Sequence, residues 1–149
     1  MAQDRTASIM RQMALAIVVA VLAVFLVRLG RGEVAFCRGV LAHLAQGRQS
    51  VQRQIDWDHL QALEVNVGEA YARLPNAREQ EQYRRAFVQQ FAVAFQRTGA
   101  APKDFTGWRI AERSGPRIVV AADYPSKRRT LLLQVSGGWK KRVVGIQWQ

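Results

Sequence analysis

The chain has 149 residues, a formal net charge of +11 and an apolar fraction of 49%. That length holds one ordinary domain plus a short extra segment, and the apolar content excludes disorder as the default. A single cysteine, Cys37, excludes an internal disulfide, and no Cys/His spacing points to zinc, so Cys37 reads as a small buried hydrophobe.

Met13 to Val27 carries no polar side chain over fifteen residues. At helical rise this covers about 22 Å, and extension to Ile9 and Leu29 brings it to about 30 Å, the thickness of a hydrocarbon core. The expectation is an N-terminal tail and single transmembrane anchor over residues 1–30, carried by Met13, Leu15, Val18, Leu22, Phe25 and Val27, with Arg11 and Arg28 at the interfaces. A cleaved signal peptide is disfavoured, because no small-x-small site follows the run and Phe36 precedes Cys37. Arg28, Arg31 and Arg38 after the span favour a cytoplasmic domain. The short N-terminal tail has the form of a signal anchor and favours an extracytoplasmic one, which is the side preferred here. The implied setting is a single-pass protein in a bacterial-type membrane.

Residues 31–149 read as one compact basic α+β domain. Val34, Cys37, Val40, Leu41 and Leu44 follow helical spacing and Gly47 ends that helix. A short helix over Ser50–Gln54 and another through Leu63, capped by Asp56 or Asp58, come next. Asn76 and Glu79 form a capping box after Pro75. Tyr83, Phe87, Phe91, Ala94 and Phe95 then share one stripe of a helix of about 22 residues, which Gly99 and Pro102 close. Beyond Pro102 the period becomes two: strands are expected at 108–113, 118–123, 130–136 and 139–148. Gly137-Gly138 would be the last hairpin turn, with Thr130–Leu132 opposite Val143–Gly145. Helices before strands give the expected fold class: α+β, an N-terminal transmembrane helix, then helices packed on a bent four-stranded antiparallel sheet.

This order resembles the nuclear-transport-factor-two-like, or cystatin-like, superfamily over about residues 33–149. The resemblance rests on Leu41-Ala-His-Leu-Ala-Gln-Gly, on the Tyr83–Phe95 helix and on the terminal Trp139–Trp148 strand. It is closest in layout to membrane-tethered members, among them assembly factors of type IV secretion systems and the membrane-docking subunit of the mitochondrial import motor. It implies a cone-shaped cavity between the long helix and the sheet, lined here by Tyr83, Phe87, Phe91, Phe95 and Trp108.

Catalysis in such a cavity needs an acid–base pair in an apolar pocket. The available groups are His43, His59, Asp56, Asp58, Asp104, Asp123, Tyr71 and Tyr83, and none has a spacing that marks a nucleophile, a phosphate loop or a metal set. No catalytic, cofactor or metal residue is therefore assigned, and a non-enzymatic protein is expected. From Lys103 onward ten Lys and Arg stand against three acidic residues. The clusters Lys127-Arg128-Arg129 and Lys140-Lys141-Arg142 make a candidate interaction surface for anionic lipid headgroups or an acidic protein face, with nucleic acid disfavoured. The reading is an accessory or assembly subunit contacting other membrane protein subunits, its anchor packed through Ala14, Ala16, Ala20 and Ala23. The alternative is a membrane-tethered carrier or sensor of a small apolar ligand, and after it an isomerase-like enzyme.

Overall fold

A computed structural model describes the backbone of residues 2–137 and 140–149 and the side chains of residues 11–25, 32–137 and 140–149. Helix α1 spans Ala2–Ala45, and the chain divides into two units, Met1–Gly32 and Glu33–Gln149. Each unit is taken by itself.

In the first unit, nine large apolar side chains between Met13 and Phe25 are more than half exposed. Among the described residues, no helix is long and apolar enough to cross a membrane. The expected transmembrane anchor, and with it the single-pass membrane protein, is corrected on that finding. The physical reason is length. Met13 to Phe25 covers about 20 Å at helical rise, well short of a hydrocarbon core of about 30 Å. The side chains on which a full span depended, Ile9 at one end and Val27, Arg28 and Leu29 at the other, lie outside the described side chains.

The second unit begins with the last turns of α1, where Cys37, Val40, Leu41 and Leu44 are buried. Gly47 stops the helix at φ +66°, and Arg48 N–H closes the turn on His43 C=O at 2.9 Å. A Cβ on Gly47 would stand 3.3 Å from Ala92 Cβ, so the same glycine lets two helices approach. A 3₁₀ turn over Gln49–Gln54 follows. Helix α2 is Val67–Ala72, capped by Asn66, which accepts from Glu69 N–H at 3.0 Å. Helix α3 is Ala77–Arg97, and Asn76 accepts from Glu79 N–H at 2.9 Å. Val88, Ala92 and Phe95 are its buried positions.

The architecture is α+β, but the sheet is six-stranded and mixed rather than four-stranded and antiparallel. Its strands are β1 Gln61–Ala62, β2 Val65–Asn66, β3 Thr106–Ser114, β4 Arg117–Tyr124, β5 Arg129–Ser136 and β6 Arg142–Trp148. Their order is β2-β1-β6-β5-β4-β3, with β1 parallel to β6 and every other pair antiparallel. The segment expected to be a helix through Leu63 is instead a bridge residue at Ile55, a turn over 57–59 and the short strand β1. Ile55 bridges Val143, Asp56 N–H donates to Val143 C=O at 3.0 Å, and Leu63 N–H donates to Ile146 C=O at 2.9 Å. It thereby covers the β6 edge, whose backbone groups would otherwise lack partners.

The hairpin register also differs from expectation. Ser136 pairs with Arg142, Leu131 with Trp148 and Leu132 with Gln147, while Val143 faces Val135. The connection therefore spans residues 137–141 instead of a two-residue glycine turn; Gly138 and Trp139 lie outside the described residues.

The β1–β2 turn is formed by Leu63 at φ +50° and Glu64 at φ +70°, the left-handed pair of a type I′ hairpin. Neither residue type favours that region, at about 1–2 kcal/mol each. Glu64→Gly relieves one such term and returns part of it as unfolded-chain freedom, for an expected net gain of about 0.5–1 kcal/mol. Urea denaturation checks it, and an unchanged or lowered midpoint counts against the strain.

Candidate functional site

Between α3 and the inner face of the sheet lies a cavity of about 740 Å³. Helix α3 explains why space remains there. Its Val88 and Ala92 pack into the core, whereas Tyr83, Phe87, Phe91 and Ala94 line the cavity and are only partly covered. Aromatic rings at every fourth position form a continuous ladder on one helix face. Centroids are 6.3 Å apart for Phe87–Phe91 and for Phe91–Phe95.

The ladder continues around the cavity. Phe95 stacks on Phe105 at 5.9 Å, Phe105 on Tyr124 at 5.0 Å, and Phe105 lies 6.0 Å from Trp148. At the other end Phe87 meets Trp57 edge-on at 5.4 Å, and Tyr83 is 6.1 Å from Tyr71. Leu41 from α1 and Leu131 and Ile146 from the sheet complete the floor. Leu63 and Val65 of the β1–β2 hairpin are exposed at the rim, at 45% and 57%.

Four of the five residues expected in the wall, Tyr83, Phe87, Phe91 and Phe95, are in it. Trp108 is not. The β3–β4 pairing shifts between Thr106 and Arg109, and Trp108 turns its indole N–H to Phe105 C=O at 3.1 Å. Phe105, which follows the 3₁₀ turn Pro102–Asp104, and Tyr124 and Trp148 of the sheet were not assigned to the wall from sequence, although the last two are aromatic within alternating stretches.

Of the titratable residues considered for catalysis, Tyr83 lines the cavity and the others lie elsewhere. His59 is exposed and sits 3.1 Å from the Asp56 carboxylate. Asp104 accepts from Ala101 N–H at 2.8 Å at the start of a 3₁₀ turn, and Asp58 is exposed. Asp123 is held by Arg109 at 2.9 Å and Thr130 at 3.1 Å, and the Arg109 hydrogen bond keeps its carboxyl below the usual aspartate range. Tyr71 Oη accepts from Arg84. His43 is half-buried, with Nδ1 unpartnered among the described residues. Among the described residues the cavity wall holds no carboxylate or imidazole, and no group of His, Cys, Asp and Glu could hold a metal.

The two basic clusters separate to opposite ends of the β5–β6 hairpin. Lys127 and Arg129 line the cavity, and Arg128, at φ +52°, lies between them outside the lining. Lys140 is exposed, Arg142 opens β6, and Lys141 Nζ is 3.9 Å from the buried Glu33 carboxylate, which Arg113 approaches at 3.7 Å. They do not form one continuous basic surface.

Compared with known proteins, the chain matches no family model, no curated protein and no solved structure.

Cys37 stands outside the cavity, fully buried on the inward face of α1. Burial and then the Glu33 carboxylate push its thiol up to about 12, with Lys141 opposing. The native chain is expected to resist iodoacetamide at about pH 8.5 and to react once unfolded in guanidinium. Rapid native labelling, followed by mass spectrometry, would show the thiol to be accessible.

Proposed function

We propose that this protein binds a small apolar ligand in the cavity between α3 and the sheet, as a carrier or sensor. The observation that carries the reading is the partly covered aromatic ladder facing a void of about 740 Å³. That volume falls within the range of small-molecule sites, which are concave, mostly apolar and equipped with few polar groups. Protein interiors are otherwise close-packed, so a large apolar space forfeits dispersion contacts that a ligand restores. Binding is preferred over catalysis because, among the described residues, neither a carboxylate nor an imidazole lines the space. The nuclear-transport-factor-two-like resemblance belongs to the same proposal, supported by a cavity in the place it implies.

Titration with the neutral fluorophore N-phenyl-1-naphthylamine tests the reading. The expected result is saturable 1:1 binding with Kd on the order of 1–10 μM. Ala94→Trp, which adds an indole at the exposed side of the wall, weakens it by about tenfold with the melting temperature unchanged. Absence of saturable binding to the wild-type chain would remove the proposal.

A second reading draws on a separate observation, the nine exposed apolar side chains between Met13 and Phe25. A contiguous apolar surface of that kind marks contact with another polypeptide, which fits an assembly subunit. Light scattering of the full chain in detergent-free buffer checks it. Association is expected, and replacing Val18, Leu22 and Phe25 with Ser should reduce it. A monodisperse monomer across the micromolar range counts against this reading.

A further inference from the structure

We propose that the cavity ligand is an anionic amphiphile, an apolar chain or ring system ending in a carboxylate, whose head is taken by Lys127 and Arg129. The proposal rests on the binding reading above and adds the chemical class. Both formally charged side chains in the wall are cations, and no carboxylate accompanies them among the described residues. An apolar body and an anionic head are the complement of a wall that is aromatic along α3 and cationic at one end.

Position separates these two residues from the rest of the basic surface. Lys127 ends the 3₁₀ turn over Pro125–Lys127 and Arg129 opens β5, near the point where β5 meets the end of β6. Arg129 carries its guanidinium 5.7 Å from the Trp148 ring centroid, and Trp148 is itself part of the cavity wall. Stacking orients the guanidinium plane and uses none of its N–H donors, so these remain for a carboxylate. Tyr124, paired with Arg129 across the strands, adds the aromatic wall behind. Lys127 supplies a second, flexible charge whose apolar stem lies along the same cavity. Asp123, the acidic side chain nearest in sequence, is engaged by Arg109 and Thr130 and is not part of the lining.

The test is displacement of N-phenyl-1-naphthylamine by decanoate, 1-decanol and decyltrimethylammonium at neutral pH and about 0.15 M salt. Decanoate is expected to bind about tenfold more tightly than 1-decanol, with the cationic amphiphile weakest. In Lys127→Ala/Arg129→Ala the decanoate preference falls to within about twofold while 1-decanol affinity is unchanged. Lys140→Ala/Arg142→Ala removes the same formal charge from the other end of the hairpin and keeps the preference. Three results overturn the proposal: 1-decanol binding as tightly as decanoate, a preference that survives in the Lys127/Arg129 variant, or an equal loss in the Lys140/Arg142 variant. If neither the fluorophore nor 1-decanol binds, the binding reading itself falls, an outcome distinct from those three.

Discussion

Phe105 stacks between Phe95 of α3 and Tyr124 of β4, at 5.9 and 5.0 Å, and it also touches Trp148 of β6. Through this one side chain the C-terminal end of α3 is fixed to the sheet. Aromatic pairs contribute about 0.5–1.5 kcal/mol each beyond their area burial, and three of them converge on a residue that is only 4% exposed. The other end of α3 is held differently. Arg84 bonds to Tyr71 and Gln52, and Phe87 meets Trp57 edge-on. The helix is thus held at both ends, and between them Val88 and Ala92 are buried while Phe87, Phe91 and Ala94 line the cavity.

The inner face of the sheet is divided in the same way. Along β5, Leu133 and Val135 are fully buried, whereas Leu131, two residues earlier, lines the cavity. Along β6, Val143 belongs to the core while Ile146 and Trp148 line the cavity. The last turns of α1 repeat the division, with Cys37, Val40 and Leu44 packed and Leu41 at the boundary. The hairpin end of the sheet is therefore a filled core. The opposite end, where the chain enters β5 and leaves β6, is the open part.

How much of this was legible in the sequence depends on how local the cause is. The Asn76 cap and the i, i+4 aromatic stripe lie within one helix, so α3 could be read almost to its ends. The four long strands were legible because alternation and the Gly and Pro turns mark them. The two-residue strands β1 and β2 carry too few positions for any period to show, and what makes them strands is the free edge of β6. The hairpin register failed for a similar reason. Gly137-Gly138 has the look of a tight turn, yet pairing resumes only at Arg142, so Leu132 faces Gln147 and not the Val143 expected opposite it. Trp108 was assigned to the wall by alternation, which the register shift around Gly107 interrupts.

The same register accounts for why the cavity has chemistry at one end only. With Leu131 opposite Trp148 and Thr130 bonded to Gln149, the chain terminus is drawn alongside the start of β5. The basic run at the start of β5 then falls at the cavity's edge, with Arg129 over the Trp148 indole. A tight Gly137-Gly138 turn would have set Trp148 opposite Lys127 and Ile146 opposite Arg129; with the longer connection Trp148 pairs with Leu131 instead, and both cations lie past the last β5–β6 pair. Net positive charge by itself makes no site. It becomes one here because strand pairing places two of many cations on the same wall as an aromatic ladder, and the four basic residues left out of the wall provide the internal comparison.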